Sequence, residues 1–420
     1  MPDIQAPRGT QDILPEEQPW WDYVRTAAER LCREFRYEQI DTPAFEDVAL
    51  FKRTVGGETD IVQKEMYVFE DRGGQELALR PEATAPVCRA YIEHGMHNQP
   101  QPVRLYSITP MFRYDRPQAG RYRQFHQFNV EAIGDESASV DAETIEILWR
   151  LYEELGLTGL TLNLNSIGDA ECRPRYLEVL RDYYRDKLDR VCPDCRGRFE
   201  HNPLRLLDCK DARCQGVIAG APALADYLCD ACAQHFADVK AYMDALGIPY
   251  VENPRLVRGL DYYTRTVYEV QPLEEGGQST VGGGGRYDGL IEMIGGRPTP
   301  GVGFATGIER IILNLKRQGM PLPDRSKLDV FVVCQSPAAR VSAFKLASDV
   351  RRSGFSAVVG SADRSLKAQL RHADSLGASY AAILGERELA AGEVTLKRLN
   401  DGSQETVALD GLPQRLSGGR

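Results

Sequence analysis

The sequence predicts an α+β protein with a further C-terminal α/β part, and three observations carry that expectation. Hairpin signals and amphipathic helices mix without a fixed order over residues 1–170 and 254–320. Between them, from Glu171 to Asn253, the character shifts to helices and short loops. Beyond residue 326, short apolar runs alternate with helical segments, as in a small mixed sheet covered by helices. A chain of 420 residues is long enough for two or three domains with cores of their own.

The elements follow in order. Residues 1–17 are proline-rich and irregular. Trp20, Val24, Ala28, Leu31 and Phe35 recur at helical spacing, while Arg25, Glu29 and Arg33 fall off that stripe, so one helix face packs. A strand is expected over Tyr37–Thr42, ending at Pro43. Phe69–Arg80 reads as a hairpin turning at Arg72-Gly73-Gly74. Glu82 and Thr84 open a helix after Pro81, where such residues are favourable in their own right. Val103–Arg113 and Tyr122–Ile133 read as strands joined by a loop holding Asp115, Pro117 and Gly120. On the return strand Phe128, Val130 and Ala132 point one way, and Gln127, Asn129 and Glu131 the other. A helix over Val140–Gly156, a strand over Leu160–Leu164 and a turn over 166–169 come next.

Thr264–Val270 alternates as a strand. Gly282–Gly285 reads as a flexible turn whose glycines let backbone approach a flat ligand. Residues 301–313 read as a strand of small residues running into a helix, and Leu315–Arg325, with Gly319, Pro321 and Pro323, as a linker. After it, Leu328–Cys334, Ala357–Gly360, Tyr380–Leu384, Glu393–Leu399 and Glu405–Leu409 read as strands, with helices over Ala338–Ser353 and Leu366–Leu376. On the second helix Leu366, Leu370 and Ala373 are expected to face in, and Arg364, Lys367 and Arg371 to share an outer face.

A net charge of −10 argues against a simple basic coat for nucleic acid. Residues 321–420 hold 14 Lys/Arg against 11 Asp/Glu, so the C-terminal part is the friendlier surface for RNA. The N-terminus has no apolar leader core, and no run approaches the roughly 18 apolar residues of a membrane span. A cytoplasmic protein without membrane association is expected, and its ten cysteines are then thiols or metal ligands. Cys192–Cys195 and Cys229–Cys232 are two CxxC pairs, with Cys209 and Cys214 between them. Two such pairs are a zinc pattern, although 33 residues separate Cys195 from Cys229. Two readings stay open: a structural Zn2+ on Cys192, Cys195, Cys229 and Cys232, or a set of reduced thiols.

The segment Arg104–Gly134 concentrates the chemistry. Arg113, Arg116, Arg121 and Arg123 crowd a short loop beside Phe125 and beside the amide–amide–carboxylate face of the return strand. Guanidiniums supply forked donors for phosphate oxygens. An aromatic ring can stack on a purine, and a carboxylate can hold a cationic or N–H-rich group. Together they suggest a nucleotide site next to a small polar molecule.

PMFRYDRPQAGRYRQFHQ, residues 110–127, resembles motif 2 of the class II aminoacyl-tRNA synthetases, and in detail that of the histidyl-tRNA synthetase family. RGLDYY, residues 258–263, resembles the signature that sets that family apart, and GVGFATGIERIIL, residues 301–313, resembles motif 3. LRPEATAPVCRAYI at 79–92 and PRGTQDILP at 7–15 match further family segments, and the helix–strand–proline order before Pro43 has the shape of motif 1. The resemblance covers nearly the whole chain in family order. It implies a class II catalytic domain over 1–170 and 254–320, built on a mainly antiparallel sheet flanked by helices. It also implies a mostly helical insert over 171–253 with the cysteine cluster, and an anticodon-binding domain over 326–420.

The implied activity is histidine–tRNA ligation, with ATP and Mg2+, L-histidine and tRNA(His) as partners and a homodimer as the assembly. The resemblance assigns ATP to Arg113, Asp115, Arg121, Phe125 and Arg310. It assigns histidine to Glu82, Thr84, Gln127, Glu131, Arg258, Tyr262 and Tyr263, with Arg258 and Arg113 as the catalytic pair. Two positions depart from the family: Asp115 stands where Glu is usual, and Ala83 where Gly is usual. A second reading is a non-catalytic relative, the regulatory subunit of ATP phosphoribosyltransferase. Such a protein would lack the C-terminal domain and parts of motif 2 and RGLDYY, all of which this chain keeps.

Overall fold

The computed structural model describes residues 4–57, 59, 61–273, 280–321 and 328–417. The chain divides into two units, Met1–Pro323 and Asp324–Arg420. In the first, the strands are β1 (Glu38–Gln39), β2 (Phe45–Asp47), β3 (Val68–Glu70), β4 (Glu76–Leu79), β5 (Val103–Phe112), β6 (Gln124–Ile133), β7 (Leu160–Ser166), β8 (Tyr250–Glu252), β9 (Thr264–Pro272), β10 (Gly282–Arg286) and β11 (Gly301–Gly307). Eight of them form one sheet in the order β1-β5-β6-β11-β10-β9-β7-β8. The edge pairs β1/β5 and β7/β8 are parallel and the pairs between them antiparallel. β2, β4 and β3 make a separate three-stranded sheet, the expected hairpin over Phe69–Arg80 being its β3/β4 half.

The stripe Trp20, Val24, Ala28 and Leu31 is buried on helix Gln18–Glu34. That helix, Ala138–Glu154 and Ile308–Arg317 cover one face of the sheet, where Phe128, Val130 and Ala132 of β6 join the same core. Helix Asp230–Leu246 packs there too, through Phe236, Val239 and Met243. The helices Arg173–Arg185, Pro193–His201 and Ala212–Ala219 share a second core with Tyr262, Tyr263 and Tyr287. The stretch expected as an insert therefore folds against both faces, and its last helix and β8 belong structurally to the sheet domain.

Three expectations are corrected by the packing. Gly282–Gly285 is not a turn: it lies in β10, a central buried strand between β9 and β11. Added Cβ atoms there would meet Tyr152 Oη at 2.3 Å, Tyr268 O at 2.6 Å and Gly303 O at 2.0 Å, at Gly282, Gly283 and Gly284 respectively, so the strand must be bare. The strand expected over Tyr37–Thr42 shrinks to β1. Helix Ile308–Arg317 runs into the expected linker, whose part beyond residue 321 lies outside the described residues.

The second unit carries β12 (Val330–Cys334), β13 (Ala357–Val359), β14 (Tyr380–Leu384), β15 (Glu393–Arg398) and β16 (Gln404–Ala408), in the order β13-β12-β14-β15-β16. β12 runs parallel to β13 and β14, and the last two strands are antiparallel. Residues 326–327 and 418–420 of the expected domain lie outside the described residues. On helix Leu366–Ser375, Ala373 is buried and Leu370 packs on the core, but Leu366 is 40% exposed. Gln369 takes the inner place, its amide bridging Cys334 N, Cys334 O and Arg364 O. Among the described residues no helix is long and apolar enough to cross a membrane.

Candidate active site

Opposite its packed face, β6 turns Gln127 and Asn129 into a cavity of about 520 Å³. β5 and β6 carry Arg113, Arg121, Tyr122 and Phe125 to one end of it. The helix that starts at Thr84 brings Glu82, Ala83 and Thr84, and the segment before β9 brings Arg258, Tyr262 and Tyr263. β10 and β11 form the wall behind, through Gly282, Gly283 and Gly303. Arg310 enters from the first turn of helix Ile308–Arg317. Apart from Glu131, every residue expected to bind ATP or histidine lines this one cavity.

At the arginine end the guanidiniums are held by backbone. Arg113 Nε donates to Pro81 O at 2.8 Å, and its guanidinium lies 5.5 Å from the Phe125 ring. Arg310 Nε donates to Gly120 O at 3.1 Å and Nη1 to Thr280 O at 2.6 Å. Burial, then the charges of Arg121 and Arg113, lower the pKa of Arg310. Such a cluster favours an anion strongly. Asp115 pairs with Arg121 at 2.9 Å. Arg116 and Arg123 do not join the cavity wall: Arg123 lies 3.9 Å from the Tyr114 ring and donates to Asp115 O.

The other end is made of buried carboxyls. Glu82 Oε2 and Oε1 accept from Thr84 N at 2.8 Å and Ala85 N at 2.9 Å, so the helix start and the site use one side chain. Burial raises the Glu82 pKa, against those amides and Arg113. Ala83 sits at φ −105°, ordinary backbone that needs no glycine. Glu131 stands one layer behind the wall, 2% exposed. It accepts from Thr84 Oγ1 at 2.7 Å and Tyr287 Oη at 2.6 Å. Burial pushes its carboxyl up to about 8, against those two donors. A Cβ on Gly303 would lie 2.1 Å from Glu131 Oε2, so β11 must be bare here as well.

Arg258 pairs with Glu269 and lies 5.7 Å from the Tyr263 ring. Burial opposes its charge, but Glu269 and Tyr263 raise its pKa. Its Nε and Gln127 Oε1 are buried without a hydrogen-bond partner among the described residues. Buried polar atoms are usually paired, and these two residues both line the cavity, where a polar ligand could supply the missing partners.

Sequence reasoning missed Glu269, Tyr287, Glu309 and Arg205 in this wall. Arg205 comes from the short helix Pro203–Leu206, within NPLRLLDCK, a segment that resembles bacterial members of the family but whose spacing gives Arg205 no role. It also placed Cys192, Cys195, Cys229 and Cys232 in one candidate zinc site. The structure separates them: Cys192 and Cys195 gather with Cys209 and Cys214, whereas Cys229 and Cys232 gather with Asp169 and Cys172.

The eight-stranded, mainly antiparallel sheet, the motif 2 hairpin, the motif 3 strand–helix and the separate α/β unit define a class II aminoacyl-tRNA synthetase. A family model described as histidyl-tRNA synthetase matches residues 9–171 and 212–311, and one described as anticodon binding domain matches 329–418. A histidine–tRNA ligase of Dehalococcoides mccartyi is 56% identical over 97% of this chain and 98% of its own. The apo histidyl-tRNA synthetase of S. aureus aligns at 40% identity and a TM-score of 0.84 over 99% of this chain and 100% of that one. A structure from Bacillus halodurans, described as an ATP phosphoribosyltransferase regulatory subunit/histidyl-tRNA synthetase, shares the fold at 21% identity and a TM-score of 0.65, covering 91% of this chain and 99% of that one. The chain belongs to the histidyl-tRNA synthetase family.

Proposed function

We propose that one cavity holds L-histidine and ATP side by side and carries the first half of histidine–tRNA ligation. The chain is an ATP-dependent aminoacyl-tRNA ligase. A carboxylate oxygen of histidine attacks the α-phosphorus of ATP. The new O–P bond replaces the bond to pyrophosphate, giving histidyl-adenylate. The 3′-terminal ribose hydroxyl of tRNA(His) then attacks the acyl carbon and AMP leaves. The observation that carries this reading is the meeting, in one cavity, of a repelling arginine cluster and the buried Glu82 carboxyl, with Arg258 Nε and Gln127 Oε1 unpaired among the described residues.

Arg113 and Arg258 flank the α-phosphate. Each is already fixed, by Pro81 O and by Glu269, so each stabilises developing charge without reorganising. Arg121 and Arg310 take the outer phosphates or flank the adenine beside Phe125, and Asp115 faces the adenine amino group. Mg2+ bound with ATP would neutralise phosphate charge; Glu269 and Glu309 line the cavity and would hold it through their carboxylate oxygens, each giving up a present contact, to Arg258 and to His126 respectively. Glu82, Thr84 and Gln127 hold the ammonium group, whose three donors need an anion and neutral acceptors. Tyr263 and Glu131 take the imidazole nitrogens, with Tyr262 lining the same end. For Glu131 this requires the Thr84 hydroxyl to turn from the carboxyl to the ammonium, an exchange their 2.7 Å hydrogen bond makes direct.

The parts are 1–170 with 254–320, catalytic; 171–253, inserted, with its last helix Asp230–Leu246 and β8 packed into the catalytic sheet domain; and 326–420, anticodon-binding. Arg364, Lys367 and Arg371 are exposed on helix Leu366–Ser375 and its approach, and would meet single-stranded anticodon bases. A second copy would cover Phe45, Val68 and Phe69, which stand exposed on the three-stranded sheet. The protein works in the cytoplasm.

Amino-acid-dependent ATP–pyrophosphate exchange with each of the twenty amino acids tests the reading. Histidine alone should support exchange. Exchange driven equally by another amino acid would overturn the histidine pocket, and none with any would overturn the adenylation step.

A further inference from the structure

The cysteines of the helical stretch sort into two groups that the linear spacing does not suggest. In each, the four ligand atoms lie within 4.8 Å of one another: Cys192, Cys195, Cys209 and Cys214 in one, Asp169, Cys172, Cys229 and Cys232 in the other. Within the first, Sγ of Cys192 is 3.7 Å from that of Cys209, and Sγ of Cys214 is 3.8 Å from that of Cys195. A disulfide would bring sulfurs to about 2.05 Å, and all ten cysteines are free. Four thiolates around one tetrahedral Zn2+ at about 2.3 Å stand about 3.8 Å apart. A multi-iron sulfide cluster would spread its ligands over several irons, so the compact group fits a single ion.

The backbone around the first group is arranged for thiolates. Cys195 N lies 3.4 Å from Cys192 Sγ, Cys192 N 3.2 Å from Cys214 Sγ, and Asp211 N 3.4 Å from Cys209 Sγ. N–H donors aimed at sulfur stabilise its anionic form and fix its direction. The second group repeats the pattern at Asp169 N, 3.4 Å from Cys172 Sγ. Its Cys172 precedes helix Arg173–Arg185 and its Cys229 precedes helix Asp230–Leu246, so it clasps the chain where it leaves the sheet and where it returns.

We propose two structural zinc sites, one of four thiolates within the insert and one of three thiolates and a carboxylate at its neck, which together brace the active cavity. The first brackets residues 196–208, which carry Arg205 to the cavity wall and place Asn202 Nδ2 at 2.7 Å from Asp261 Oδ1. The second adjoins Arg173, whose guanidinium donates to the carbonyls of Ile167, Gly168 and Tyr263 at 3.0, 2.9 and 2.7 Å. Arg265 ties the same strand to Asp169 at 3.5 Å. Losing the neck ion therefore loosens the backbone that aims Tyr263. That last consequence rests on the histidine reading above; the metal content does not.

The test is elemental analysis of the full chain purified without added metal, with zinc K-edge absorption on the same sample. Two zinc ions per chain in a sulfur-dominated shell are expected. The double variants Cys192→Ser/Cys195→Ser and Cys229→Ser/Cys232→Ser should each retain one. The neck variant should also raise the histidine KM in pyrophosphate exchange by about three-fold or more. Less than about a tenth of a zinc per chain overturns the proposal, as does a shell dominated by nitrogen or oxygen. One zinc that either double variant abolishes would mean a single shared site and overturns the two-site partition. The wild-type measurements need no variant, so poor folding of either mutant leaves the proposal open to refutation. Two zinc ions in the unaltered chain, one in the neck variant and an unchanged histidine KM in that variant would overturn the bracing role alone.

Discussion

At one end of the cavity Arg113, Arg121 and Arg310 face one another, and burial with mutual repulsion lowers the pKa of Arg310. At the other, Glu82 and Glu131 are buried and their pKa values are raised, that of Glu131 to about 8. Each end is strained in the sense that the proposed ligand would relieve: a polyanion would offset the arginine charges, and a cationic amino acid would favour the ionised carboxyls. Arg258 stands where the two meet, neutralised by Glu269. The contrast teaches that the two ends differ in their electrostatics, which is what the proposed separate handling of the two substrates requires.

Arg258→Ala should have the largest effect, lowering kcat/KM for pyrophosphate exchange by about 10²–10³-fold, the usual loss for one preorganised charge-stabilising group. Gly303→Ala attacks the histidine end from behind. Its Cβ would meet Glu131 Oε2 at 2.1 Å and Val130 O at 2.3 Å, and overpacking of this kind destabilises by about 1–3 kcal/mol, read as a lower unfolding midpoint in urea. Glu131→Gln should flatten a pH dependence. In the folded, ligand-free protein the carboxyl keeps its proton to about pH 8, while the unfolded chain releases it near its ordinary value. Stability is thus full below the unfolded pKa and falls as pH rises toward 8, by at most about 1.4 kcal/mol per pH unit. Denaturation at pH 5 and pH 8 should show a smaller difference in the variant. Asp115→Glu, which restores the usual family residue, should be mildest, changing the ATP KM by less than about three-fold, because Asp115 already sits in the wall and pairs with Arg121.

What the sequence made legible follows from locality. The motif 2 arginines, Phe125 and the alternating face of β6 lie within one hairpin, and side-chain alternation reports a strand directly. β10 hid because its glycines carry no alternation to read; a bare strand and a flexible turn share one composition. Gln369 displaced Leu366 inside the second unit because an amide there satisfies both backbone groups of Cys334, a requirement that hydrophobic periodicity does not register. Arg205 reached the cavity through contacts between distant segments. The cysteine grouping is hidden for the same reason: linear spacing joins one CxxC to the next, while the fold gathers Cys192 and Cys195 with Cys209 and Cys214, and Cys229 and Cys232 with Cys172 and Asp169.

The separation of the two ends is tested most directly by measuring both KM values in pyrophosphate exchange for Glu131→Gln and Arg310→Ala side by side. The arrangement predicts a crossed result. Glu131→Gln should raise the histidine KM by about ten-fold and leave the ATP KM within about two-fold, and Arg310→Ala should do the reverse. If both variants weakened both substrates equally, the cavity would be one coupled site and the account of two independent ends would be wrong.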